Sequence, residues 1–182
     1  MAQQQHATGV GHLPAFNAES GELNAVVEAV KGSRNKFKFD QDLSLFIHDS
    51  VLPAGATFPF DFGFVPSTTG EDGDPIDVLI LMDEPAFVGA VVPCRLVGAI
   101  EAEQTEADGQ TVRNDRLIAV AAESHLYSDI KSLTEVPSTI IDEIEHFWVS
   151  YNKMKGKQFT PIGRAGRRKA KALVDAAMGP RD

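Results

Sequence analysis

Short apolar runs with strand-like spacing fill the chain from Leu23 to Glu123, and helical spacing takes over only beyond them. "LNAVVEAV" reads as a strand with one acid, Glu28, embedded in it. "NKFKFD" alternates strictly, which sets Lys36 and Lys38 on one face and Phe37 and Phe39 on the other. "LSLFIHD" predicts a further strand after a short polar turn. "PIDVLILM" is apolar on both faces, the pattern of a central strand. "GAVVPCRLVGAIEAEQ" and "DRLIAVAAE" predict two more, with Asp108-Gly109 as the turn signal between them. The stretch from Leu52 to Asp74 carries three prolines and four glycines among aromatics, and predicts an ordered, packed loop region.

Later in the chain Ser138 is the predicted N-cap of a helix. Ile140, Ile141, Ile144, Phe147, Trp148 and Tyr151 recur there at helical spacing, and the helix is expected to end before Gly156. A second, basic helix is predicted from about Arg164 to Met178. Residues 1–20 are polar and Gly-rich and are expected to form an extended arm. Strands first and helices later define an α+β class, a small β-barrel with the C-terminal helices packed on it. A length of 182 residues suits a single domain spanning 1–182 with a core of ordinary size.

Composition narrows the function classes. A hydrophobic share of 43% and a charged share of 24% are those of an ordinary globular protein. A net charge of −9 argues against nucleic-acid or anionic-membrane binding and fits a protein that concentrates divalent cations, as it fits many plain acidic ones. With Cys94 as the only cysteine, no intrachain disulfide forms. No apolar run approaches the roughly 18 residues of a membrane span, and "MAQQQHATG" lacks the features of a signal peptide, so a cytoplasmic location is expected.

The candidate chemistry begins at "GEDGDPIDVLIL", where Glu71, Asp72, Asp74 and Asp77 crowd the start of an apolar strand. Like charges at that spacing repel, and a hard cation such as Mg²⁺, held by two or three carboxylates, offsets the cost. A solvated acidic turn is the other reading, since Asp-Gly and Asp-Pro are ordinary turn chemistry. A calcium EF-hand loop is excluded, because Asp77 stands where that loop needs glycine. Glu28 calls for a partner or a metal if its strand is buried, and for nothing if it faces water from an edge. Lys36, Lys38, Arg116, Lys131, Lys153, Lys155 and Lys157 form a scattered basic set of the kind that neutralises phosphate oxygens.

The order of these features resembles a family. "DGDPIDVL" is similar to the Asp-x-Asp-Pro-x-Asp-Val-Leu signature of the family I soluble inorganic pyrophosphatases. "VVEAVKGSRNKFKFD", "FPFDFGFVPST", "VGAIEAE", "HLYSDIKSLTEVP" and "SYNKMKGK" follow collinearly, so the resemblance covers nearly the whole chain from Leu23. It implies a closed, OB-like five-stranded barrel, Mg²⁺ dependence with Mn²⁺ as another candidate cation, a homohexamer, and hydrolysis of pyrophosphate to two phosphates. By position, Asp72, Asp77, Glu106 and Glu28 correspond to metal-linked carboxylates and Asp74 to the catalytic base. Lys36 and Tyr151 correspond to phosphate-binding residues.

Several positions depart from the family pattern. Ser50 stands where the family has an arginine, Lys38 where it has a glutamate, Phe62 where it has a tyrosine, and Asn152 where it has a lysine with Lys153 next door. The family's Asp-x-Lys reads Asn114-Asp115-Arg116, so Asp115 serves as a metal ligand only through a one-residue shift. On this reading Lys38, Arg116 and Lys153 join the substrate-binding set. Two alternatives stand beside pyrophosphate hydrolysis: a hydrolase of another small phosphorylated compound, and a weakly active metal- and polyphosphate-binding homologue.

Overall fold

Two apolar faces on one strand require cover on both sides, and the chain supplies it with a closed sheet and two helices. The computed structural model describes residues 9–179. Nine strands run in chain order: β1 (Leu23–Ala29), β2 (Asn35–Asp40), β3 (Leu45–Val51), β4 (Asp61–Phe64), β5 (Asp77–Leu81), β6 (Val91–Thr105), β7 (Thr111–Arg113), β8 (Arg116–Ala121) and β9 (Gln158–Gly166). The helices are α1 (Ser138–Met154) and α2 (Arg167–Ala177). Pairing runs β1-β4-β5-β8-β6, and β6 pairs back onto β1, so five strands close a barrel. Closure leaves no open edge inside the ring. All ring pairings are antiparallel except β5 with β8. β2 and β3 form a separate hairpin, and β9 and β7 extend β6 past the barrel.

β5 shows how the apolar pattern is used. Leu79 and Leu81 pack with Ile118, Val120, Phe62 and the α1 residues Ile141, Ile144 and Trp148. Val78 and Ile80 face the other way, onto Val27, Leu117, Ala119 and the α2 residues Ala170 and Val174. Each helix therefore covers one face of the strand, and each fully buried aliphatic side chain contributes about 1.5–3 kcal/mol. Glycine is obligatory where backbones meet. A Cβ on Gly63 of β4 would lie 1.8 Å from the Val26 carbonyl oxygen of β1.

Three expectations are corrected. β4 lies inside the segment read as loop, because its Phe and Gly residues are buried against neighbouring strands rather than exposed in a turn. The basic helix begins only at Arg167; residues 158–166 form β9, held by antiparallel pairing to β6 despite its proline and glycines. Ser138 is the first helical residue and caps nothing; Pro137 precedes the helix, and its carbonyl accepts the Ile140 amide at 2.9 Å. Of the arm expected over residues 1–20, residues 1–8 lie outside the described range; in the rest Ala15 is buried and the Pro14 carbonyl accepts the Asn24 side chain at 2.8 Å.

Gly63→Ala is expected to lower stability by about 3 kcal/mol, read as a fall in the urea midpoint. An unchanged midpoint would contradict the β1–β4 closure.

Candidate active site

Asp77 opens β5 and Arg116 opens β8, and the parallel register Val78↔Leu117 makes them neighbours at one end of the barrel. The Arg116 guanidinium is buried, ion-paired to Asp77 and bonded to the Asn114 side-chain oxygen. It lies 4.7 Å from the Trp148 ring and 5.3 Å from the Phe159 ring, a cation–π seat out of water. Arg116 Nε and Trp148 Nε1 are buried donors without a partner among the described residues.

Above this floor the 70–76 loop folds back on itself. The Gly70 amide donates to the Asp74 carbonyl at 2.7 Å, and Gly73 takes a left-handed φ of 84° that favours glycine. Asp72 Oδ1 accepts the Asp74 amide at 3.1 Å, and Oδ2 accepts Asn114 Nδ2 at 2.9 Å. A relay of polar contacts then crosses the cavity. Asn114 Nδ2 also donates to Gln104 Oε1 at 3.2 Å, Gln104 Nε2 to Glu106 at 2.6 Å, and Lys157 Nζ to Glu106 at 3.0 Å. Burial, with the charges of Asp77 and Asp74 added, pushes the Asp72 carboxyl up. Lys157 and the Gln104 amide hold the Glu106 carboxyl below its usual value.

These groups bound a cavity of about 410 Å³. Asp72, Asp74, Asp77 and Glu106 form its acidic walls; Lys36, Arg116, Lys155 and Lys157 its cationic ones; Phe62, Trp148 and Tyr151 its aromatic side. A second cavity of about 240 Å³ shares Lys36, Asp74 and Asp77 with it and adds Glu28 and Lys38. Glu28 sits on a strand paired on both sides and is buried, so the exposed-edge reading fails. Its carboxylate is 3.6 Å from Lys36 Nζ. Burial pushes the Glu28 carboxyl up to about 7 even though Lys36 opposes the rise. Burial likewise pulls the Lys36 ammonium down, but Glu28 and Asp77 outweigh it and hold the group above its usual value.

Among the sequence-predicted residues, Asp72, Asp74, Asp77, Glu106, Lys36, Arg116 and Tyr151 line the larger cavity, and Glu28 and Lys38 the adjoining one. Asp115 is turned away: it accepts the Ala102 amide at 2.9 Å and Arg113 Nε at 2.6 Å, and Asn114 takes the cavity side. One residue along an extended chain reverses the face, so the shift needed to bring Asp115 inward is not made. Lys153 is exposed on α1 and absent from the lining. Lys155 and Lys157, past the helix end, reach the cavity instead; "KMKGK" held that signal, since a chain leaving a helix redirects its side chains. Gln104 and Trp148 carried no sequence signal beyond strand and helix periodicity.

Among the described residues no three acidic, His or Cys side chains come together as a group that could hold a metal ion by themselves. Asp72, Asp74 and Asp77 instead enter an open cavity from the 70–77 stretch, and Glu106 enters it from just past the end of β6. That arrangement suits Mg²⁺, which binds through one or two carboxylates and keeps positions for water and phosphate oxygens.

Residues 25–180 match the model of the inorganic pyrophosphatase family. The chain is 36% identical to an inorganic pyrophosphatase of Nostoc sp. over 93% of its length and 96% of that protein. It is 35% identical to one from Haloferax volcanii over 86% of each. Its fold superposes on the crystal structure of the Thermus thermophilus inorganic pyrophosphatase with a TM-score of 0.84 and 34% identity, covering 94% of this chain and 97% of that one.

The raised Glu28 carboxyl predicts a pH signature in the metal-free protein. Protonation of Glu28 favours the fold, so its contribution is full below the ordinary value of 4.5 and is lost as pH rises through about 7. Relative to Glu28→Gln, the native protein is expected to lose on the order of 2–3 kcal/mol across that window. Urea melts at several pH values measure it, and a pH-independent difference would contradict the burial.

Proposed function

Because the chain belongs to the inorganic pyrophosphatase family, we infer that it is an inorganic diphosphatase, hydrolysing pyrophosphate to two phosphates in the barrel-mouth cavity. The observation that carries the reading is the meeting of Asp72, Asp74 and Asp77 with Lys36, Arg116, Lys155 and Lys157 around one space. Asp72, Asp77 and Glu106 would hold Mg²⁺, with Mn²⁺ as an alternative; when bound, such cations neutralise phosphate charge and acidify water. Asp74, whose side chain is 58% exposed, takes the proton of the attacking water. That water's oxygen bonds to one phosphorus as the bridging P–O bond breaks, and the second phosphate leaves with the bridging oxygen. Lys36, Arg116, Tyr151 and the two lysines beyond α1 grip the phosphate oxygens and balance the charge that develops on them. Glu28 acts through Lys36, aligning its ammonium.

No helix is long and apolar enough to cross a membrane among the described residues. A cytoplasmic location and a homohexameric assembly complete the proposal. Exposed Leu43, Leu45, Ile47 and Val51 on and beside the β2–β3 hairpin, with Phe87, support assembly by offering apolar surface to another copy.

Purified protein given Mg²⁺ and pyrophosphate is expected to release two phosphates per substrate. Asp74→Asn should lower kcat/KM by about 100-fold or more. Chelation with EDTA should abolish turnover, and added Mg²⁺ should restore it. Absence of turnover on pyrophosphate, with cleavage of another phosphorylated compound in its place, would overturn the reading.

A further inference from the structure

Each signature carboxylate already has an internal donor on it: Asn114 on Asp72, Lys38 on Asp74 and Arg116 on Asp77. The three differ in how firmly they are held. Arg116 is buried between aromatic rings, and Asn114 is tied into the amide relay with Gln104. Lys38 reaches Asp74 Oδ1 at 2.7 Å from the adjoining cavity, with side chains 50% and 58% exposed. Such an open pair is weak, so it yields to a competitor. The backbone beneath it is fixed: Lys38 pairs with Ile47 in the hairpin, and the Phe39 amide donates to Glu28 at 3.2 Å. The ammonium can leave Asp74 but stays tethered beside it. A divalent cation entering beside Asp74, toward Asp77 of the same cavity, therefore meets a resident positive charge, and the two repel across a short distance.

We propose that Lys38 sets the cation affinity of this site: its ammonium, held on Asp74, is a built-in positive charge against which a divalent cation at the neighbouring carboxylates must bind. The inference rests on the reading of the cavity as a divalent-cation site, and it assigns Lys38 a role other than gripping phosphate. The positive charge nearest Asp74 weakens cation binding in the free protein and makes it sensitive to the side chain at position 38.

The test is calorimetric titration of Mn²⁺ into the whole, substrate-free protein. Lys38→Gln is expected to bind Mn²⁺ about fivefold more tightly than the native protein. Lys38→Arg should keep the native affinity. Lys171→Gln, which removes the same charge from an i,i+4 pair on α2, should leave it unchanged. Equal affinity in Lys38→Gln and the native protein overturns the proposal, as does a matching gain in Lys171→Gln. A raised KM for pyrophosphate in Lys38→Gln without tighter Mn²⁺ binding also overturns it, and makes Lys38 a substrate contact. Pyrophosphate turnover with unchanged Mn²⁺ affinity would leave the enzyme assignment standing and remove only this role, whereas no Mn²⁺ binding by any of the proteins removes the metal site and this proposal together. Circular dichroism confirms that each variant is folded; the exposed position of Lys38 makes that the expected result.

Discussion

β5 and β8 run side by side in the same direction, and their first residues, Asp77 and Arg116, therefore meet at one end of the barrel. Parallel neighbours need a long connection, and β6 and β7 supply it. β6 is 15 residues long because it must pair with β1 and β8 in its first half and carry β7 and β9 in its second. A guanidinium buried at the start of β8 is tolerated only with a carboxylate against it and polarizable surface around it. Asp77 meets the first requirement, and Trp148 and Phe159 the second. α1 must then lie across the barrel mouth to deliver Trp148, and Tyr151 and Asn152 arrive on the same helix. Arg164 of β9 bonds Glu145 of α1 at 2.8 Å and holds that placement.

The crowded acids of the 70–77 stretch become affordable in this setting. Three donors of different strength offset part of their repulsion, and the cavity they face also presents four cationic side chains. Burial, with the charges of Asp77 and Asp74 added, still pushes the Asp72 carboxyl up. Acidic and basic side chains interleave around this cavity, Arg116 against Asp77 and Lys157 against Glu106.

Much of this was legible in the chain, and the failures have physical causes. β1, β5, β6 and β8 announce themselves as apolar runs because both of their faces are buried. α1 does so because a helix covering a barrel keeps a strict apolar stripe. β4 and β9 are hidden by glycine and proline: Gly63 is present for close backbone approach, and Pro161 sits at the register shift between Glu101 and Ala102 in the β6–β9 ladder. The site divides in the same way. The signature acids lie on one short loop and strand, where local sequence decides position. Asn114 versus Asp115 turns on which face of an extended segment points inward, and that is decided by the neighbouring Arg113 together with the Ala102 amide, 13 residues earlier in the chain. Lys155 and Lys157 depend on how the chain leaves α1, which no periodicity describes.

That Asp72, Asp74 and Asp77 present a divalent-cation site to a phosphate pocket is tested most directly by anomalous diffraction from crystals grown with Mn²⁺ and phosphate. The account predicts manganese peaks within the barrel-mouth cavity against Asp72 and Asp77, with phosphate density toward Lys36 and Arg116. Saturating Mn²⁺ that leaves the cavity without a peak, or that settles at Asp115 and Glu101 instead, would contradict it.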